Sequence, residues 1–205
     1  MLTLEILEKM LLAAALELKA NTRYLCELDS VAGDGDHGIT VGKMADAMKA
    51  KVEAHDSEDL NSLLDDLGMT FMNINGGSAG PLWGTIFSGW ADAVDAGVKE
   101  VDAAGLQKMF AQAKEDFMDI SKAKPGDKTM VDALYPALEA GMAATDDLKA
   151  TMEAVAAAAV KGADATADMV AKFGRAKNVG ERSLGTKDPG AVSLSILFSA
   201  MAKVF

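Results

Sequence analysis

Apolar residues recur at helical spacing along almost the whole chain, and brief polar breaks interrupt the period again and again. Residues 3–27 place Leu4, Leu7, Leu11, Leu12, Ala15, Leu18 and Leu25 on one side of a first helix. The period resumes over 38–53 (Ile39, Met44, Met48), with a start predicted at Ser57 over 58–74 (Leu60, Leu63, Leu64, Leu67, Phe71), and from Pro81 to Ala96 (Leu82, Ile86, Trp90, Val94). Four more helices are predicted: 102–122, 130–144 behind an N-cap at Asp127, 148–172 behind Asp146 or Asp147, and 191–203. Aromatic residues make up only 5% of the 205 while Ala and Met abound, which also favours helix over sheet. No repeat, linker or low-complexity tract divides the chain, so the expectation is one all-α domain, 1–205, of eight up-and-down helices.

An up-and-down order carries a parity rule. Connections after odd-numbered helices share one end and those after even-numbered helices share the other. The four chemically unusual connections all follow odd-numbered helices. They are Leu28–Gly38, Asn75–Pro81, Lys124–Met130 and the long Gly174–Gly190. The links after helices two, four and six are short and bland. One composite site at one end of the bundle is therefore expected.

The first of these connections packs Asp29, Asp34 and Asp36, three glycines and His37 into eleven residues. Crowded carboxylates repel unless a cation neutralises them. Hard oxygen ligands on a flexible loop suit Mg²⁺ or Ca²⁺. A lone Asp-Gly would read as a solvated turn, but three carboxylates at this spacing read as a metal site, and the EF-hand order is not met. In the second connection, glycines ahead of Pro81 free backbone N–H groups at a helix start, which is either an anion site or an ordinary Gly-rich beginning. Lys124-Pro125-Gly126-Asp127-Lys128-Thr129-Met130 is a turn. The fourth holds Arg175, Lys177, Arg182, Lys187 and Asp188, and a loop of that length inside a compact domain is usually functional. Free amides and Arg175 would neutralise phosphates that a carboxylate-held Mg²⁺ also bridges. Such equipment suits phosphoryl transfer, which needs positioning and charge neutralisation rather than a covalent nucleophile.

The remaining sequence narrows the class. There is no P-loop, dinucleotide fingerprint or protein-kinase signature. Only His37 and His55 exist, so no Ser-His-Asp set is available; His55 reads as a solvated loop residue, and His37 as a group that orients a phosphate or a ligand carboxylate. Trp83 and Trp90 read as core or rim packing. A net charge of −11 without a basic run argues against nucleic-acid binding. The single cysteine, Cys26, packs as a small apolar residue and fits a reducing compartment. Neither a signal peptide nor an apolar run of about 20 residues is present, so the expected location is cytoplasmic.

Asp29 with Gly33-Asp34-Gly35-Asp36-His37-Gly38, then Gly76-Gly77-Ser78-Ala79-Gly80-Pro81-Leu82, Pro125-Gly126-Asp127-Lys128-Thr129-Met130, and Gly180-Glu181-Arg182-Ser183 through Asp188-Pro189-Gly190-Ala191 together resemble one family. It is the ADP-binding L subunit of dihydroxyacetone kinase, equivalent to the C-terminal nucleotide domain of the single-chain kinases. The resemblance covers essentially the whole chain. It implies an all-α barrel of eight antiparallel helices with ADP or ATP at one end. It implies Mg²⁺, two ions, held by Asp29, Asp34 and Asp36. It implies nucleotide contacts from His37, Gly38, Ile39, Thr40, Gly77, Ser78, Ala79, Met130, Arg175, Asp188, Pro189 and Gly190, with Met130 against the base and Arg175 stabilising the phosphates. It implies a K subunit that holds dihydroxyacetone and, in the phosphotransferase-system branch, a phosphohistidine-carrying M subunit that rephosphorylates bound ADP. A monomer that meets these partners transiently is expected. The alternatives are an ATP-dependent subunit for another small ketose such as a tetrulose, and a nucleotide-binding regulator of a transcription factor. The chain departs from the family at Ala79, where a hydroxyl is usual, and at Lys177-Asn178-Val179.

Overall fold

The computed structural model describes residues 1–54 and 56–205; His55 lies outside the described residues. The elements in order are β1 (Leu2–Thr3), α1 (Leu4–Ala20), α2 (Thr22–Ser30), α3 (His37–Ala54), α4 (Leu60–Met72), α5 (Ala79–Asp92), β2 (Glu100–Val101), α6 (Ala103–Ile120), α7 (Val131–Met142), α8 (Leu148–Ala165) and α9 (Pro189–Ala202). Two 3₁₀ segments, Thr166–Asp168 and Arg175–Ser183, lie between α8 and α9.

Adjacent helices run antiparallel. Along the α1–α2 seam, Lys19 meets Asp46, Thr22 lies at Gly42, and Cys26 lies at Gly38, so α3 descends as α1 and α2 rise. Each helix then packs on the next from α3 through α9, and α9 returns to α1, which closes the ring into a barrel. Glycines permit the close seams: a Cβ at Gly38 would overlap the Thr22 carbonyl, and one at Gly162 of α8 would overlap the Asp132 carbonyl of α7. The Ala-rich α8 sits between α7 and α9 as its small residues predict. Inside the barrel an edge-to-face aromatic chain runs Trp83–Phe71–Phe87–Trp90, and Trp90 continues to Phe110 and Phe198, with centroids 5.0–6.4 Å apart. Trp83 is fully buried and Trp90 nearly so, so both are core residues.

The structure departs from the sequence expectation in five places. The first helix is broken at Asn21, giving nine helices among the described residues; Asn21 Nδ2 donates to the Glu17 carbonyl at 2.8 Å and Thr22 Oγ1 to the Lys19 carbonyl at 2.9 Å, so side chains compete with the helical ladder there. The break leaves the parity intact, because α2 continues upward. The start of α4 is capped by Asp59, which accepts from Ser62 N at 2.7 Å in a reciprocal capping box, rather than by Ser57. Asp127 does not cap α7; Asp132 reaches back instead and accepts from Thr129 N and Gly126 N. Helix α8 ends at Ala165, not at residue 172, which lengthens the last connection to residues 166–188. The short pair β1 and β2 was not foreseen; it ties the chain start to the α5–α6 link with Leu2 opposite Val101. Among the described residues no helix is long and apolar enough to cross a membrane.

Candidate functional site

All four unusual connections open on one cleft of about 490 Å³ at one end of the barrel. The connection after α2 contributes Ala32 and Gly33, the start of α5 contributes Ser78 and Ala79, the connection after α6 contributes Ser121 to Ala123 and Lys128 to Met130, and the connection before α9 contributes Phe173 to Ala176 and Thr186 to Gly190. The parity expectation is met.

The acidic cluster forms one wall. One carboxylate oxygen from each of Asp29, Asp34 and Asp36 lies within 4.8 Å of the others. Asp29 is fixed by the backbone, its Oδ2 accepting from Asp36 N at 3.0 Å and His37 N at 3.2 Å at the start of α3. Burial, reinforced by the neighbouring Asp34, holds the Asp36 carboxyl above its ordinary value. Arg175 reaches across from the last connection and donates through one terminal nitrogen to Asp34 Oδ1 at 2.8 Å. Three crowded oxygens with one borrowed positive charge fit a hard divalent cation.

The opposite wall begins α5. Ser78 and Ala79 stand at its N-terminus after Gly77, whose φ of +67° turns the chain into the helix. No side chain caps this start, so its first N–H groups are available to an anion. Thr40 packs against Gly76 and holds the turn to α3, which keeps the two walls in register. Met130, Leu82, Trp83 and Phe173 line an apolar stretch of the cleft. His37 is partly buried; its Nε2 lies 3.1 Å from Ser193 Oγ, and burial pushes its pKa below the ordinary value against the opposing effects of Asp29 and the Pro189 carbonyl. The imidazole joins α3 to α9.

Lys128 is the residue sequence reasoning passed over. Its ammonium donates to four carbonyls, those of Thr166 (2.8 Å), Met169 (3.2 Å), Ser183 (2.6 Å) and Thr186 (2.5 Å). The side chain is 5% exposed and its backbone has φ of +58°, a left-handed conformation unusual for a residue with a Cβ. Burial lowers its pKa, and Asp188 and Asp168 oppose that. Asp188 caps α9 by accepting from Ala191 N at 2.7 Å, and burial pushes its carboxyl up to about 7. Nothing in the local sequence marks Lys128, because its partners lie 38 to 58 residues away.

Of the predicted site residues, Asp29, His37, Ser78, Ala79, Met130, Arg175, Asp188, Pro189 and Gly190 line the cleft. Asp34 and Asp36 stand beside Asp29 at its edge. Gly38, Ile39, Thr40 and Gly77 are not among the lining residues: Gly38 and Thr40 are buried in the α2–α3 and α3–α5 seams, Ile39 faces solvent at 52% exposure, and Gly77 shapes the turn. Ile120 and Phe173 line the cleft and carried no sequence signal beyond being apolar.

A family profile, the DAK2 domain, matches residues 31–203. The chain is 38% identical over 184 residues to the PEP-dependent dihydroxyacetone kinase 1, ADP-binding subunit DhaL of Listeria innocua, covering 90% of this chain and 88% of that one. It is 36% identical over 194 residues to the L-erythrulose kinase of Pectobacterium atrosepticum, covering 90% of this chain but 32% of that one. The fold matches the crystal structure of the dihydroxyacetone kinase from C. freundii in complex with AMP-PNP and Mg²⁺ with a TM-score of 0.73 at 27% identity, over 96% of this chain and 33% of that one. The chain thus spans about a third of the last two proteins.

Proposed function

The chain belongs to the DAK2-domain family, and from that premise we propose that it is the ADP- and Mg²⁺-binding subunit of a dihydroxyacetone kinase. The observation that carries this reading is the convergence of four separated loops on one cleft, with a triad of carboxylates on one wall and an uncapped helix start on the other. In this reading Asp29, Asp34 and Asp36 hold the metal, two ions as the family resemblance implies. When bound, the metal neutralises phosphate charge. The amides at Ser78 and Ala79 receive phosphate oxygens, Arg175 adds a cation to the same group, and Met130 lies against the base beside Asp188, Pro189 and Gly190. Gly38 and Thr40 act through the seams they pack into, and Ile39 stands exposed at the start of α3. His37 keeps α9 seated on α3 so that both ends of the site stay in register.

No residue of the cleft is placed as a covalent nucleophile. The chain's work is to present a phosphoryl group, and the acceptor is dihydroxyacetone held by a separate K subunit, with a phosphohistidine M subunit recharging the retained ADP in the cytoplasm. The 36% identity to an erythrulose kinase favours one second reading, an exchangeable ATP used on a tetrulose. Protein purified without added nucleotide, then denatured, separates the two. Near-stoichiometric ADP that has survived dialysis supports the retained coenzyme. A nucleotide-free protein that exchanges ATP freely supports the second reading, and one that binds neither with Mg²⁺ present removes both.

A further inference from the structure

We propose that Lys128 is a positioning residue, a buried cationic clamp that fixes the base of the 166–188 connection and thereby sets Arg175 and Asp188 at the cleft. The inference rests on the nucleotide-binding reading above for its functional consequence, but not for the clamp itself.

The four carbonyls that Lys128 collects fall in two pairs. Thr166 and Met169 leave α8, and Ser183 and Thr186 return toward α9. Between them runs the excursion that carries Arg175. An ammonium has three N–H donors, so four carbonyls at 2.5–3.2 Å use its full capacity and share one. The Thr166 carbonyl is also at the negative end of α8, where a cation is favoured. Carbonyl dipoles replace the water that burial removes from the charge.

Further bonds stitch the same base. Gly185 N donates to the Ala167 carbonyl at 2.9 Å, Asp188 N to Thr166 Oγ1 at 2.9 Å, and Ala171 N to Ser183 Oγ at 3.1 Å. Lys172 N donates to the Asp127 carbonyl at 3.1 Å, and its Nζ to Asp127 Oδ1 at 2.9 Å, which ties the excursion to the residue beside Lys128. Beyond this base the tip is bounded by Gly174 and Gly180, with φ of +62° and +58° and no neighbour within 4 Å of a built Cβ. Among the described residues, Arg175 to Asp34 is the side-chain hydrogen bond that ties this tip to the barrel. Arg175 and Asp188 thus owe their placement to a base whose two strands one ammonium joins and these bonds reinforce. A backbone held left-handed at Lys128 turns that ammonium inward.

The test combines hydrogen exchange with a double-mutant cycle on the full chain. Lys128→Met keeps the stem and removes the charge. In nucleotide-free protein, amides of residues 166–188 should exchange at least tenfold faster in this variant while α4 and α5 stay protected. Equal exchange in that segment overturns the clamp. In the cycle, Arg175→Ala should weaken ADP binding with Mg²⁺ at least tenfold in the wild-type background and less than threefold in the Lys128→Met background. A tenfold loss in both backgrounds overturns the positioning role, because a merely destabilising substitution leaves the Arg175 increment intact. Should Lys128→Met melt below the assay temperature, Lys128→Arg, which keeps the cation but cannot seat a planar fork among four carbonyls, should move both readouts in the same direction by at least threefold, and no movement overturns the proposal. A wild-type protein that binds no ADP removes the functional reading alone, since the exchange arm still decides the clamp.

Discussion

The proposed site gives Arg175 two partners whose demands oppose each other, Asp34 and the nucleotide phosphates, so its removal should act with opposite signs on metal and on nucleotide. Without ligands its guanidinium pairs with Asp34 at 2.8 Å, standing in the position of a counter-ion to the acidic triad. Both side chains are well exposed, 63% and 40%, so the pair contributes only about 0.2–1 kcal/mol. A cation entering the triad must displace that pair. Arg175→Ala should then tighten Mg²⁺ binding to nucleotide-free protein by about 1.4- to 5-fold, the same energy expressed as a ratio. On the proposed reading the guanidinium turns to the phosphates when nucleotide is bound, where hydrogen bonds to charged groups are worth about 1.5–3 kcal/mol. The same variant should weaken ADP binding in saturating Mg²⁺ by about 10- to 100-fold. Isothermal titration of Mg²⁺ into the nucleotide-free variant, followed by ADP into the Mg²⁺-saturated variant, measures both. Two losses, or no change in ADP affinity, would refute the exchange of partners.

Three further perturbations follow from the packing and the titrating groups. Gly38→Ala places a Cβ against the Thr22 carbonyl and Cys26, and overpacking of about 1–3 kcal/mol should lower the melting temperature by about 2–10 °C, read in a thermal melt of nucleotide-free protein. Asp59 accepts from Ser62 N and Gly97 N, and those bonds hold its carboxyl below the ordinary range. A depressed folded pKa stabilises above the unfolded value and fades as pH falls through the folded one, so Asp59→Ala should cost about 0.5–2 kcal/mol at pH 7 and progressively less in acid, measured by urea unfolding. Asp188 has the reverse sign: its carboxyl, pushed up to about 7 from 3.8, binds a proton more tightly folded than unfolded, so it destabilises metal-free protein increasingly as pH rises from about 4 to 7. Asp188→Asn should flatten that part of the stability–pH curve and make the metal-free protein more stable at pH 8, while an unchanged slope would reassign the titration.

The parity of the loops was legible because it depends only on counting helices, and a break such as Asn21 between two collinear pieces does not alter the count. The acidic triad was legible because its carboxylates are close in sequence, as those of metal loops often are. Gly38 and Thr40 entered as nucleotide contacts through the family resemblance rather than through spacing, and their side of α3 faces α2 and the start of α5, a placement only the packed seam reveals. Lys128 was illegible because a buried lysine is recognised by its acceptors, here backbone carbonyls that any sequence supplies. The C-terminal end of α8 was misread because an Ala-rich period continues past Ala165, while Thr166 turns its hydroxyl to the Ala163 carbonyl and its own carbonyl to Lys128.

The most direct measurement is titration of ADP into the wild-type chain with Mg²⁺, with a chelator, and into an Asp34→Ala, Asp36→Ala double variant with Mg²⁺. A single composite site requires one ADP per chain in the first case, and binding weakened at least tenfold in both of the others, with circular dichroism of the variant unchanged. Equal ADP affinity in all three would separate the nucleotide from the acidic triad and contradict the site built here.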